Sequence, residues 1–236
     1  MKTKFLIALF ILISVTSGCI NYTEETWLKD DLSGRMSFKM ELAEELYAMA
    51  SQGQQPFDSK EFGKMFEVKG IKLTEYKTYT EAGNQVLAVD FTFLSLEALK
   101  NIKANNDGFA FIGKVSATKN KKGQLVFTRI ISNNQDASEV NSFTASLFSK
   151  GKFKITVHFP FKIISANTSD KLIDLKNNTV TWEFSFLSTM LKPQEMTAVL
   201  EPFNPLPWMA GGIVVILGIG AWCFYLFILK TEKQEG

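Results

Sequence analysis

Apolar and polar residues alternate along several stretches of this chain. In residues 35–42 every second residue is apolar, namely Met36, Phe38, Met40 and Leu42. Residues 152–159 and 179–186 follow the same rule. A period of two with one apolar face is typical of strands in an antiparallel sheet that covers a core on one side.

Turn and helix signals separate these strands. Turn-forming residues at 81–84 and 119–123 each join two strand-like stretches, which indicates hairpins. Apolar residues recur at helical spacing at 43–51, at 95–104 behind a serine N-cap, and at 136–149. The sequence therefore predicts an α+β domain in which antiparallel β-hairpins alternate with short helices.

Residues 208–229 contain no charged side chain. As a helix this segment would be about 33 Å long, which matches a hydrocarbon core of about 30 Å. Trp208 begins the segment and Lys230 follows it, and both residue types serve as interfacial anchors. The fold is therefore predicted to end in one C-terminal transmembrane helix.

The N-terminus has the order of a secretory signal peptide, with a basic start, an apolar stretch and a run of small residues. Cys19 follows the small residues, as in a prokaryotic lipobox, although Thr16 stands where leucine is preferred. We predict that Cys19 is lipidated. The alternative is ordinary cleavage near Ser17, which would leave Cys19 as an unmodified thiol.

These signals divide the chain into six predicted parts. They are a lipoprotein-type signal peptide (1–18), a lipidated N-terminal linker (19–23), an extracytoplasmic α+β domain (24–201), a Pro-rich spacer (202–207), a transmembrane helix (208–229) and a cytoplasmic tail (230–236). Lysines follow the span, which places the tail in the cytoplasm. We expect a single-pass protein of the cytoplasmic membrane, with the lipid holding the start of the domain against the same bilayer as its end.

Composition excludes several classes of function. The basic excess lies at the chain ends, so the predicted domain is neutral and gives no electrostatic reason to bind nucleic acid. Cys19 and Cys223 both lie outside the domain, which excludes a disulfide framework. His158 is the only histidine, and its place on the polar face of a strand indicates a solvated or locally hydrogen-bonded side chain. We predict no catalytic residue, no metal site and no cofactor.

Lysines crowd one predicted hairpin tip, at Lys119, Lys121 and Lys122. They form either a solvated turn or a contact with anionic lipid headgroups, where each basic residue near the surface is worth about 1 kcal/mol. Further lysines could join this contact if their strands are adjacent: Lys150, Lys152, Lys154 and Lys162.

The chain contains 21 phenylalanines. Most of them must form the core, but a sheet lined with Phe and Met and covered by amphipathic helices can also enclose an apolar cavity. This excess indicates a domain that binds a lipid or another amphiphile.

One segment resembles a known family. Phe159-Pro160-Phe161 ends an apolar strand, Asn167 follows, and a later strand carries Trp182 two residues after a valine. This pattern, together with the order of signal peptide, lipobox, β-rich domain and C-terminal span, resembles the LppM-like group of prokaryotic membrane-anchored lipoproteins, a domain of unknown function. Phe161 stands where that group has glycine. The resemblance implies an envelope role, such as lipid or glycolipid binding, without an established enzyme activity, and it makes Phe159, Pro160, Asn167 and Trp182 structural residues.

The predicted function is thus a non-enzymatic, membrane-anchored envelope lipoprotein whose extracytoplasmic domain binds a lipid or amphiphile near the membrane surface. Its partner would be membrane lipid. The alternative is an accessory or assembly subunit that docks on another membrane protein through its sheet or its transmembrane helix.

Overall fold

The computed structural model describes residues 20–50, 63–64, 66–102, 112–132 and 148–201. The strands within these ranges are β1 (Ile20–Leu28), β2 (Gly34–Ala43), β3 (Ile71–Glu81), β4 (Asn84–Phe93), β5 (Lys114–Lys119), β6 (Leu125–Ile131), β7 (Lys152–His158), β8 (Ile163–Ala166), β9 (Ile173–Asp174), β10 (Thr179–Ser185) and β11 (Gln194–Leu200). The helices are α1 (Glu44–Ala50), α2 (Leu96–Lys100) and α3 (Phe186–Leu191), with a 3₁₀ turn at Asp170–Leu172.

The α+β prediction, with helices alternating with hairpins, is wrong. The described part is predominantly β, in two sheets, and its α-helices have only seven, five and six residues. Ser95 does cap α2, since its side chain accepts a hydrogen bond from the Ala98 amide, but the helix already ends at Lys100. Helices thus occur within two of the predicted segments, 43–51 and 95–104, but strands make up most of the described residues. The helix predicted at 136–149 falls almost entirely outside the described residues.

The strands form two separate sheets. The seven-stranded sheet has the order β3-β4-β2-β1-β7-β10-β9, and the four-stranded sheet has the order β5-β6-β11-β8. At the centre of the larger sheet β1 runs parallel to β7, whereas the other pairs are antiparallel. A parallel pair requires a long connection between its strands, so the sheet is not built from local hairpins alone.

The hairpin signals in the sequence correspond to real turns. The turn between β3 and β4 is formed by Ala82 and Gly83, both with positive φ, and the two strands pair from Glu81 and Asn84 outward. Positive φ at both central residues gives the tight turn whose twist matches that of the flanking strands.

The core lies between the two sheets. The prediction that β2 buries one of its two faces is confirmed. Met36 and Phe38 on the inner face are almost fully inaccessible to solvent. The Tyr22 and Phe153 rings stack with their centroids 4.3 Å apart on the larger sheet. Phe127 of the smaller sheet meets Phe159 edge-on at 5.3 Å. One continuous apolar cluster thus joins both sheets.

Several predicted parts lie outside the described residues, including Cys19, the spacer 202–207 and the span 208–229. Within the described ranges, no helix is long and apolar enough to cross a membrane. β1 begins at Ile20, so most of the stretch predicted as a linker after Cys19 belongs to a central strand.

Candidate functional site

One end of the sandwich is defined by the point at which β11 finishes, and we call it the exit end. Leu200 pairs with Leu125 of β6 on one side and with Ile163 of β8 on the other. Only four residues join the end of β7 to the start of β8. The exit end of the smaller sheet therefore coincides with the end of the larger sheet at which β1 and β7 finish.

The three predicted headgroup lysines lie together at the exit end. Lys119 pairs with Leu125, the neighbour of Leu200, and Lys121 and Lys122 follow in the turn. All three are exposed. Asn120 shapes this turn, because its carboxamide oxygen accepts hydrogen bonds from the amides of Lys122 at 2.9 Å and Gln124 at 3.0 Å. We call residues 119–124 the lysine turn.

The other lysines divide between the two ends. Lys162 lies at the exit end, where its ammonium is 3.4 Å from the Glu201 carboxylate. Lys152 pairs instead with Asn21, at the start of β1 and far from the lysine turn. Lys150 and Lys154 flank it there, so these three do not join the predicted contact.

Exposed apolar side chains also mark the exit end. Leu94, immediately after β4, is 76% exposed, and Leu175, in the turn before β10, is 63% exposed. Ile164 in β8 is 43% exposed. No pattern in the sequence marks these residues, because a single leucine beside a strand is indistinguishable from a core position until its strand is placed in the sheet.

The motif residues tie the two sheets together. Trp182, on β10 of the larger sheet, is buried and donates a hydrogen bond from its indole Nε1 to Asn167 Oδ1 at 2.9 Å. The same oxygen accepts from the Thr197 amide at 2.7 Å, and Asn167 Nδ2 donates to the Glu195 carbonyl at 2.9 Å. Asn167 thus connects the larger sheet to β11 of the smaller one.

The preceding segment turns the chain from one sheet to the other. Phe159 is buried, and Pro160 follows it at the exit end. Phe161 packs against the core without a positive φ, so this turn does not require the glycine of the LppM-like pattern.

A buried ion pair crosses the core between the sheets. Arg129 of β6 and Glu24 of β1 are both 1% exposed, and both guanidinium Nη atoms donate to the two carboxylate oxygens, Nη2 to Oε2 at 2.7 Å. Tyr22 and Thr26 also donate to Glu24, at 2.7 and 3.0 Å. Arg129 Nε donates to the Ile112 carbonyl at 2.9 Å. Every polar atom of the pair therefore has partners, which buried charges require.

Burial and the Glu24 carboxylate shift the pKa values of Tyr22 and Arg129. Burial, followed by the neighbouring Glu24 carboxylate, raises the pKa of Tyr22 well above its ordinary range. Burial acts to lower the pKa of Arg129, but the Glu24 carboxylate outweighs it and the pKa is raised. Tyr22 therefore remains a neutral hydrogen-bond donor and Arg129 a cation, which suits a structural pair and offers no proton for acid–base chemistry.

His158 is held locally on the outer face of the larger sheet. Its Nε2 lies 2.6 Å from Glu25 Oε1, and its Nδ1 lies 3.0 Å from the Thr179 hydroxyl. The imidazole stacks on Trp27, with centroids 5.3 Å apart, and Arg35 lies over the same indole. The interpretation of His158 as locally hydrogen-bonded is confirmed. No group of three or more His, Cys, Asp or Glu side chains in the described ranges could hold a metal ion.

One void between the sheets is lined by Leu28, Phe127 and Val157 and has a volume of about 10 Å³, which is at the lower limit for one water molecule. This void is too small to be the apolar cavity expected from the phenylalanine content. A larger open cleft, of about 960 Å³, lies beside the starts of β1 and β7 and is lined by side chains of both charges, including Glu41, Lys152 and Glu183.

Comparison of the sequence with protein-family profiles finds no match, and comparison with curated proteins finds none either. Among solved structures, the chain is similar to the NMR structure of the folded domain of Mycobacterium tuberculosis LppM. The similarity covers 80% of this chain and 94% of that domain, with 15% sequence identity and a TM-score of 0.46.

Proposed function

We propose that this chain is a non-enzymatic, membrane-anchored envelope lipoprotein whose folded domain binds anionic lipid headgroups through the lysine turn. The observation that carries this proposal is the position of the turn, at the same end of the sandwich as Leu200. Membership of the LppM-like group is part of the proposal, supported by the Phe159–Trp182 motif and the predicted order of anchors.

The distances suit a contact with the membrane surface. Lys119 and Leu200 are separated by one intervening strand, which corresponds to roughly 10 Å. The predicted spacer 202–207 reaches at most about 20 Å when extended. Three lysines near a negatively charged leaflet would together contribute roughly 3 kcal/mol if their effects add. This would be enough to orient a domain that the predicted span 208–229 holds at the surface.

We propose that the lipid contact lies on the outside of the domain, at the headgroups of the bilayer. The void lined by Leu28, Phe127 and Val157, of about 10 Å³, cannot accept an acyl chain, which supports an external contact.

Chemical footprinting of the full chain tests the proposal. The protein would be reconstituted into nanodiscs of phosphatidylcholine with or without about 30 mol % phosphatidylglycerol, the anionic lipid that basic clusters attract. Lysines would then be acetylated briefly and their modification measured by mass spectrometry. We expect Lys119, Lys121 and Lys122 to be protected only in the anionic discs.

Lys152 and Lys154 provide the matched control, because they are exposed at the opposite end. Their acetylation should not depend on lipid charge. Equal acetylation of the lysine turn in the two kinds of disc would refute the headgroup contact.

A second candidate function has one observation in its favour. β3 is an eleven-residue strand at the edge of the larger sheet, and most of its side chains are exposed. Such an edge can accept a strand from another protein, which fits an accessory subunit that docks through its sheet. A photo-crosslinker at Thr78 that captures one membrane protein in stoichiometric yield would support this role, and capture of lipid alone would not.

A further inference from the structure

The two most exposed large apolar side chains of the described residues are Leu94 and Leu175. A single exposed leucine is ordinary. Leu94 and Leu175, however, lie at the same end of the sandwich as the lysine turn and the last residue of β11. If the predicted span follows β11, this is the end of the domain that faces the membrane.

Both leucines are presented on ordered turns. The Leu94 amide donates to the Gly70 carbonyl at 2.8 Å, and Ser95 then caps α2. Leu175 follows Asp174, whose carboxylate accepts from the Lys176 amide at 3.0 Å and from the Asn177 amide at 3.1 Å. The Asn177 carboxamide, followed by these amides, lowers the pKa of Asp174. The Asp174 carboxylate is engaged by the amides of its own turn. The exposed side chains of Leu175 and Lys176 are therefore the groups of this turn that can contact a membrane surface.

The two leucines and the lysine turn form a triangle. Leu94 extends β4 and Leu175 precedes β10, and the order β4-β2-β1-β7-β10 puts four strand spacings between them, or roughly 19 Å. The lysine turn belongs to the other sheet, roughly 10 Å away from the larger one. Three contacts that are not in line fix the orientation of a rigid body on a plane.

We propose that Leu94 and Leu175 insert into the interfacial region of an anionic bilayer while the lysine turn contacts its headgroups. The domain then docks by its exit end, with its strands directed away from the membrane. This inference rests on the proposed function, which supplies the membrane contact, and adds the two apolar anchors and the orientation. Leucine side chains beside basic residues are the combination by which proteins bind to the surface of a bilayer.

Depth-dependent fluorescence quenching of the full chain tests the inference. Single cysteines would replace Leu94, Leu175 or, as a control, Leu191, in a background with Cys19→Ser and Cys223→Ser. Leu191 is 46% exposed and ends α3 at the opposite end of the sandwich. Each variant would carry the dye NBD and be reconstituted into vesicles of phosphatidylcholine with about 30 mol % phosphatidylglycerol, with and without lipids that bear a nitroxide near the top of the acyl chain.

We expect the dyes at positions 94 and 175 to lose most of their emission to the nitroxide lipid, and the dye at 191 to keep its emission. Equal quenching at all three positions, or none at 94 and 175, would overturn the inference. If the lysine turn is nevertheless protected from acetylation in anionic discs, the headgroup contact stands and only the leucine anchors fail. If that protection is also absent, the proposed function fails together with the inference.

Discussion

Replacement of Arg129 by methionine should destabilise the domain strongly. Arg129→Met keeps an unbranched side chain between the sheets but removes the cation that faces the Glu24 carboxylate. The carboxylate would keep its hydrogen bonds from Tyr22 and Thr26. It would nevertheless be a buried charge without a counterion, and the Ile112 carbonyl would lose its donor.

The size of the effect follows from the burial of both partners. The Arg129 and Glu24 side chains are 2% and 0% exposed. Removal of one partner of a buried ion pair costs about 3–5 kcal/mol, whereas replacement of both by apolar groups is often neutral. Since a domain of this size is stable by about 5–15 kcal/mol, the single variant should lose a large part of its stability, and Glu24→Leu combined with Arg129→Met should recover much of it.

Urea denaturation followed by far-UV circular dichroism would measure the loss of free energy of unfolding. Arg35→Met is the matched control, because Arg35 pairs with Asp90 at 2.7 Å but its side chain is 56% exposed. Exposed ion pairs contribute about 0–1 kcal/mol. If Arg129→Met and Arg35→Met shift the free energy of unfolding equally, the argument that the sheets are joined by a buried charge pair is refuted.

Two further predictions concern stability. Because the pKa of Tyr22 is raised in the folded state, the unfolded chain loses this proton first, at about pH 10; the free energy of unfolding should therefore fall as the pH rises above that value. Tyr22→Phe should make this fall shallower in denaturation midpoints between about pH 8 and 11, and a slope equal to that of the exposed-site control Tyr79→Phe would contradict the assignment. Asn167→Leu should cost about 1–3 kcal/mol because it leaves the buried Trp182 indole N–H without an acceptor. Asn167→Asp retains that acceptor and should cost less in the same urea assay, and an equal loss in both variants would show that the Trp182 bond is not the cause.

The candidate site was partly readable from the sequence. The crowding of Lys119, Lys121 and Lys122 in a turn follows from local residue order, and the structure places all three on one hairpin. Leu94 and Leu175 gave no comparable signal. They lie 81 positions apart in the chain, and only the strand order brings them to the same end of the sheet.

The core polar pair was equally hidden. Arg129 lies between the apolar Phe127 and Ile131 on one face of β6, but its partner Glu24 is 105 residues away in the chain. A charged residue at such a position interrupts the apolar face of the strand, and its burial cannot be predicted until its partner is known. Pairing across the sandwich is what makes its burial tolerable, and pairing is a property of the tertiary structure.

The strands and turns whose signals are local could be predicted from the residue pattern. Side-chain alternation set the faces of β2, β7 and β10, and turn residues set the hairpins, because both act over a few neighbouring residues. Features that depend on contacts between distant segments came only from the tertiary structure. These are the parallel pairing of β1 with β7 and the placement of the first residue of β1 and the last residue of β11 at opposite ends. Sheet pairing and core burial become available only when remote strands meet, so no local pattern encodes them.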